Sequence, residues 1–208
     1  VKQSDFALGR INALSDGVFA IAMTLLVLDL KLPPLESAGD GDSVSAALVE
    51  QFPRFISWVL SFAILCRLWI THHLLSRAGD TRSRTFMTWN LLFLGAIACI
   101  PFPTSLLSEH HDQALSVFIF SATFAVAGLA LAGMAVAYRK QLESAETLGD
   151  EKSVARVVTI ILATAGISSL LALIHPRLGV LIWVIYPFVS VIGLHRRAFK
   201  DLPAGDRS

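Results

Sequence analysis

The stretch from Ile11 to Lys31 constrains the fold more than any other part of the chain. It is mainly apolar, and at 1.5 Å per residue it is long enough to cross a hydrocarbon layer of about 30 Å as a helix. It nevertheless carries Ser15 and Asp16 close to its start. A carboxylate inside a membrane helix costs several kcal/mol, so it is kept where it meets a partner or sits in a polar pathway. Beyond it, Ile21, Thr24, Leu25 and Leu28 fall at i, i+3, i+4 and i+7 and share one helical face. That face is a narrow apolar seam with a single hydroxyl in it.

The rest of the chain repeats the theme. Hydrophobic residues make up 54% of the 208 positions and the mean hydropathy is +0.64, which points to an all-α integral membrane protein. Six spans are expected, near residues 11–31, 55–75, 86–107, 114–138, 154–174 and 178–194, in one unit covering 1–208. Pro33-Pro34 is expected to end the first helix, Pro101 and Pro103 to kink or end the third, and His175-Pro176 to part the fifth from the sixth. Seventeen basic residues nearly balance sixteen acidic ones, so no bulk basic field suggests nucleic acid. Cys66 and Cys99 lie in apolar runs and read as buried thiols. The first span is too long for a signal core and no small-residue cleavage site follows it.

Orientation follows from lysine and arginine placement. Lys2, Arg77, Arg82, Arg84, Arg139, Lys140, Lys152, Arg196, Arg197 and Lys200 gather at the termini and in the second and fourth loops. Both termini are therefore expected on the cytoplasmic side. The first loop, with Glu36, Asp40, Asp42 and Glu50, and the Glu109-His110-His111-Asp112 turn are expected on the other side. That acidic outer surface would concentrate cations near a pore mouth. With alternating helix directions, Ser15 and Asp16, then Arg67, Trp69, His72 and His73, and finally Asn90 reach a similar depth. In lipid such groups need one another, so they read as a polar clamp between helices, with contact to permeating ions or protons as the sharper reading and Arg67 free to snorkel toward the inner headgroups.

Other chemistries find little support. Adjacent histidines such as His72-His73 diverge by about 100° on a helix and do not share an ion easily. His110 and His111, beside Glu109 and Asp112, read as a solvated turn rather than a metal site. No G-x-S-x-G elbow, H-E-x-x-H pair or phosphate loop is present, and Ser15 with His72 has no oxyanion site, so the chain is read as a non-enzyme.

Arg10-x-x-x-Leu14-Ser15-Asp16 resembles the arginine-then-phenylalanine-serine-aspartate signature of the lysosomal and prokaryotic potassium channels of the transmembrane protein 175 family. The likeness continues through Gly17-Val-Phe-Ala-Ile21-Ala-Met-Thr24-Leu25-Leu-Val-Leu28, returns at Trp69-x-x-His72, and ends with Asn90 and Pro101-Phe102. It covers roughly the first half of the chain. Leu14 stands where the family has phenylalanine, keeping the bulk without the ring.

The resemblance implies a multi-pass potassium channel of the plasma membrane, a homotetramer whose first helices line a central pore. It needs no cofactor; potassium is the permeating species and other monovalent cations, the lipid bilayer and copies of the chain itself are its partners. Ile21, Leu25 and Leu28 would form apolar constrictions and Thr24 a selectivity ring. Arg10, Ser15, Asp16, Trp69, His72 and Asn90 would brace the pore helix. The chain has no Thr-Val-Gly-Tyr-Gly filter, in keeping with the family. Two physical arguments run alongside: a narrow aliphatic ring gates by dewetting, and threonine hydroxyls offer neutral oxygens to a weakly hydrated cation. Against them, an isoleucine–leucine stripe on a membrane helix commonly faces lipid. The competing functions are a secondary transporter with Asp16 and Arg67 as an intramembrane coupling pair, and a membrane enzyme or structural subunit.

Overall fold

In the computed structural model the backbone is described for residues 2–30, 42–78, 84–139 and 148–198, and side chains for 9–30, 45, 47–76, 84–138 and 154–187. Among these residues the regular secondary structure is helical. The first helix, α1, runs Lys2–Leu25 and tightens into a 3-10 turn at Leu26–Asp29. The Leu30 N–H then closes on the Val27 carbonyl at 3.1 Å. The helical backbone thus ends before Pro33-Pro34, which lies outside the described residues. There follow α2 (Asp42–Glu50), α3 (Phe52–Ala78), α4 (Arg84–Cys99), α5 (Pro101–Glu109), α6 (Ala114–Arg139), α7 (Leu148–Ile174) and α8 (Pro176–Ala198).

Among the described residues five segments are long and apolar enough to cross a membrane: Gly9–Asp29, Phe52–Ser76, Arg84–Glu109, Ala114–Tyr138 and Val154–Ile174. The sixth expected span falls on α8, whose described apolar part is the shorter Pro176–Pro187. The expected third span, 86–107, is two helices. Pro101 has no N–H and Pro103 follows it, so the ladder is interrupted and Ile100 N–H turns to Ile97 O at 3.1 Å. Pro101 then starts α5 from the position where a missing N–H costs nothing. His175-Pro176 does the same between α7 and α8. Glu36, Asp40, Arg82, Lys140 and Lys200 lie outside the described residues, as do the side chains of Lys2, Asp42, Arg77, Arg139, Lys152, Arg196 and Arg197, on which the expected orientation rests.

The C-terminal half packs tightly. α6 lies against α4 and α7, and α7 against α8. Phe120, Phe124, Trp183 and Tyr186 form a buried aromatic cluster, with Phe120 edge-on to Trp183 at 5.4 Å. Trp183 Nε1 donates to Ser121 Oγ at 2.9 Å, Ser121 Oγ to Ser168 Oγ at 3.1 Å, and Ser168 Oγ to the Gly179 carbonyl at 2.8 Å. This relay satisfies polar groups that lipid would leave unpaired. Gly179 is required there, because a Cβ would come within 2.7 Å of the Ser168 carbonyl and 2.8 Å of Val117 Cγ1. Small-residue contacts of this kind let membrane helices approach closely.

The N-terminal half is built around α1, which leans on α3, α4 and α5. Ser15, Phe19, Ala22 and Leu26 form its buried stripe. Phe19 meets Phe93 of α4 at 5.9 Å and His72 of α3 at 6.1 Å. Ser61 of α3 donates to Thr104 Oγ1 of α5 at 2.8 Å, while Thr104 donates to its own Ile100 carbonyl at 2.9 Å. The cysteines differ from expectation: both are free thiols, but Cys66 is only half-buried and Cys99 is exposed, because the apolar runs that hold them are only partly covered by the rest of the chain.

Candidate functional site

The face of α1 opposite its buried stripe is open. Leu14, Ile21, Leu25 and Leu28 are 52%, 61%, 43% and 62% exposed, and Ala13, Asp16, Gly17, Ala20 and Thr24 are exposed with them. Only 22% of this span's window is buried, against 50% for Arg84–Glu109 and for Ala114–Tyr138. The expected seam of Ile21, Thr24, Leu25 and Leu28 therefore lies together on one uncovered surface. The 3-10 turn rotates Leu28 relative to α-helical spacing, yet it stays on the open side.

Thr24 has a specific geometry. Its Oγ1 lies 2.9 Å from both the Ala20 and the Ile21 carbonyls. A hydroxyl has one proton, and here it is directed into the helix's own backbone. What Thr24 offers outward is oxygen lone pairs, the electrostatic sense that suits a cation.

Behind the open face stand the polar residues expected to converge, and they do so in two pairs. Trp69 Nε1 donates to Asp16 Oδ1 at 2.9 Å, tying α3 to α1 near the exposed edge. His72 Nε2 lies 2.8 Å from Asn90 Oδ1, joining α3 to α4 in the interior; with the proton on Nε2 the imidazole donates. Ser76 Oγ lies 3.4 Å from the same nitrogen. The His72 ring stacks on Phe93 at 5.2 Å, and His73 stacks on Trp69 at 5.6 Å.

Two expectations need correction. Ser15 is buried but donates to the Ile11 carbonyl of its own helix at 3.0 Å, so it gives α1 a smooth packing face and does not join the interhelical bonds. That same bond removes it as a nucleophile toward His72. Asp16 and Arg67 form no ion pair: Asp16 is engaged by Trp69, while Arg67 of α3 faces α7 and α8, where Arg156 and Tyr186 are the groups close enough to act on its charge. Arg10 is exposed, one turn before Leu14 on the approach to the open face.

One polar cluster escaped the sequence reading. Ser105 and Ser108 of α5 donate to Asp29 Oδ1 and Oδ2 at 2.7 and 2.8 Å, clasping the far end of α1. The two serines sit at i and i+3, and the depth argument applied at the C-terminal end of the first and third spans would have matched them to Asp29. Nearby, Glu50, Gln51, Pro53, Arg54, Ser108, Glu109, His110 and His111 line an open cleft of about 420 Å³, with Arg54 3.8 Å from Glu109. Among the described residues no three His, Cys, Asp or Glu converge as metal ligands there or elsewhere.

Residues 10–101, from within α1 through α4 to the first residue of α5, match the family model described as "Endosomal/lysosomal potassium channel TMEM175". A potassium channel of Streptomyces collinus is 36% identical over 124 residues, which are 60% of this chain and 59% of that protein. A potassium channel of Chamaesiphon minutus is 40% identical over 111 residues, 51% of this chain and 53% of the other. The matched part thus spans just over half the length of these curated relatives. A Gallus gallus relative, named an endosomal/lysosomal proton channel, is 33% identical over 109 residues, half of this chain and 22% of that protein. At the level of fold, the crystal structure of a lysosomal potassium-selective channel TMEM175 homolog from Chamaesiphon minutus superposes with a TM-score of 0.72 at 24% identity, covering 89% of this chain and 97% of that one. With the signature residues, the polar pairs that brace α1 and these matches in hand, the chain is similar to the TMEM175 family over residues 10–101 and shares the fold of its Chamaesiphon minutus homolog.

Proposed function

We propose that the chain is one subunit of a potassium-selective cation channel, and that four copies pack around an axis with the open face of α1 turned inward. The observation that carries this reading is the composition of that uncovered face. Lipid would accept Ile21, Leu25 and Leu28, but Thr24, Gly17, Ala20 and the Trp69-bonded Asp16 on the same side gain nothing from acyl chains. Around an axis the aliphatic residues close constrictions that exclude water, and Thr24 supplies outward-facing oxygens to a partly dehydrated ion. The Asp16–Trp69 and His72–Asn90 bonds hold α1 against α3 and α4, so the seam keeps its angle. Naming of relatives as potassium channels supports the choice of ion. The plasma membrane as location, cytoplasmic termini and a sixth span along α8 belong to the same proposal.

The test is a potassium-gradient flux assay on purified protein in liposomes, with sodium and protons as comparison ions. Fast potassium flux without a co-substrate, exceeding sodium flux, is the expected result. Flux that saturates and requires a coupled ion would transfer the assignment to a secondary transporter. No flux above empty vesicles, from protein that is intact and tetrameric by native mass measurement, would overturn the channel reading.

A further inference from the structure

The break in the third span leaves one backbone group without a partner. At Ile100 the backbone keeps α-helical angles, φ −55° and ψ −37°, so each carbonyl before it is due an N–H from four residues on. Pro101 has none to give, and the Ile97 carbonyl accepts from Ile100 N–H at 3.1 Å instead. The Ile100 carbonyl accepts from Thr104 N–H at 3.2 Å and from the Thr104 hydroxyl at 2.9 Å. The Cys99 carbonyl is due the N–H of residue 103, which is a proline, and among the described residues no other donor reaches it. Cys99 is exposed, as are Gly95 and Ala98 before it and Phe102 after it. A Cβ at Gly95 would meet nothing within 4 Å, so there is open space beside the break.

Depth is set from the Glu109 end, where α5 closes into the turn at residues 110–113 and α6 begins. Cys99 lies about 15 Å along the helix from there, near the middle of a hydrocarbon layer of about 30 Å. Two contacts fix its level against α1: Phe19 meets Phe93 at 5.9 Å on one side of it, and Asp29 is held by Ser105 and Ser108 on the other. Thr24 stands midway between Phe19 and Asp29, as Cys99 stands midway between Phe93 and Ser105. Lipid has no donor for an open carbonyl, and a gap in the backbone ladder at this depth persists only against protein or water. An α1 from a second copy could not close it at this level, because the Thr24 proton is already directed to the Ala20 and Ile21 carbonyls.

We infer that the α4–α5 break faces a water-filled crevice in the membrane, and that the Cys99 carbonyl binds water there at the level of Thr24. Solvent thus reaches mid-membrane along the third span as well as along the open face of α1. The inference needs only that the third span crosses a bilayer, and it stands whether or not the protein conducts ions.

The thiol beside that carbonyl is a natural reporter. The whole chain carrying Cys66→Ser, which leaves Cys99 as its single cysteine, is placed in phosphatidylcholine nanodiscs and treated with a charged, water-soluble methanethiosulfonate. The mass shift is followed in time by intact-protein mass spectrometry. Such a reagent attacks hydrated thiolate, so Cys99 should be modified at least about tenfold faster than the thiol of Val126→Cys, exposed near the middle of α6, in a chain that also carries Cys66→Ser and Cys99→Ser. Equal rates, or no modification of Cys99, overturn the crevice. Pro103→Ala gives the Cys99 carbonyl an N–H and should slow modification about threefold or more. Unchanged reactivity in a folded Pro103→Ala chain overturns the carbonyl as the group that holds the water.

Discussion

In α6, half of the apolar span is buried inside the chain; in α1 the share is 22%. The α6–α7–α8 bundle closes on itself, with Trp183, Ser121, Ser168 and the Gly179 carbonyl bonded in series and large aromatic side chains filling the space between. α1 is held firmly on one side only. Its polar anchors, Asp16 to Trp69 and Asp29 to Ser105 and Ser108, sit at the two ends of the helix and leave the seam between them clear. The contrast separates two uses of a membrane helix. One set of helices completes a scaffold within the chain, and α1 is fixed by that scaffold with one face left uncovered.

Substitutions break or sharpen this contrast, and the largest effect belongs to the scaffold. Gly179→Leu places side-chain atoms where Ser168 O and Val117 already are, and should cost about 3 kcal/mol or prevent folding, read as a lower Tm in detergent. A normal Tm would mean that the closed half is not closed. Asn90→Leu removes the shorter of the two contacts to the buried His72 Nε2, leaving only Ser76 Oγ at 3.4 Å, and should cost about 2 kcal/mol on the same scale. Thr24→Ala removes an exposed hydroxyl that bonds only to its own helix. Stability should move by less than about 0.5 kcal/mol, while potassium-over-sodium preference, measured as reversal potentials in planar bilayers, should fall about fivefold. Equal selectivity would remove the threonine from the ion's path. Ile21→Asn, also on the open face, should raise conductance about threefold by easing wetting, and currents at the wild-type level would place the constriction elsewhere. Gly17→Ala should have the smallest effect on the protomer, a gain of up to about 1 kcal/mol in helix propensity, since nothing lies within 4 Å of the added methyl. If copies of α1 meet at this glycine, tetramer yield falls although the Tm rises.

The sequence was legible where the chemistry was local or severe. Hydropathy predicted five segments that the structure forms as helices long and apolar enough to cross a membrane, and proline chemistry placed the breaks at Ile100 and His175. Depth counting brought Asp16 to Trp69 and His72 to Asn90, because polar groups at one level in lipid have few other partners. The same counting misjudged Ser15 and Arg67. A serine can satisfy itself on its own helix, as Ser15 does at Ile11 O, and depth says nothing about azimuth, which turns Arg67 toward α7 and α8 and away from Asp16. The Asp29 clasp was missed because a carboxylate at the end of an apolar run looks like a solvated cap until α5 is folded beside it.

The linear order of residues determined that this protein is a set of membrane helices and which side chains of α1 share a line, since helix period and the cost of unpaired groups in lipid act within a single segment. Only the tertiary structure decided which side of that line is covered. Rotation of α1 about its axis is set by Phe19 against Phe93 and His72, and by bonds to residues far away in the chain, and it leaves Ile21, Thr24, Leu25 and Leu28 facing outward. Packing between segments, which no single segment encodes, turned an amphipathic pattern into an available surface.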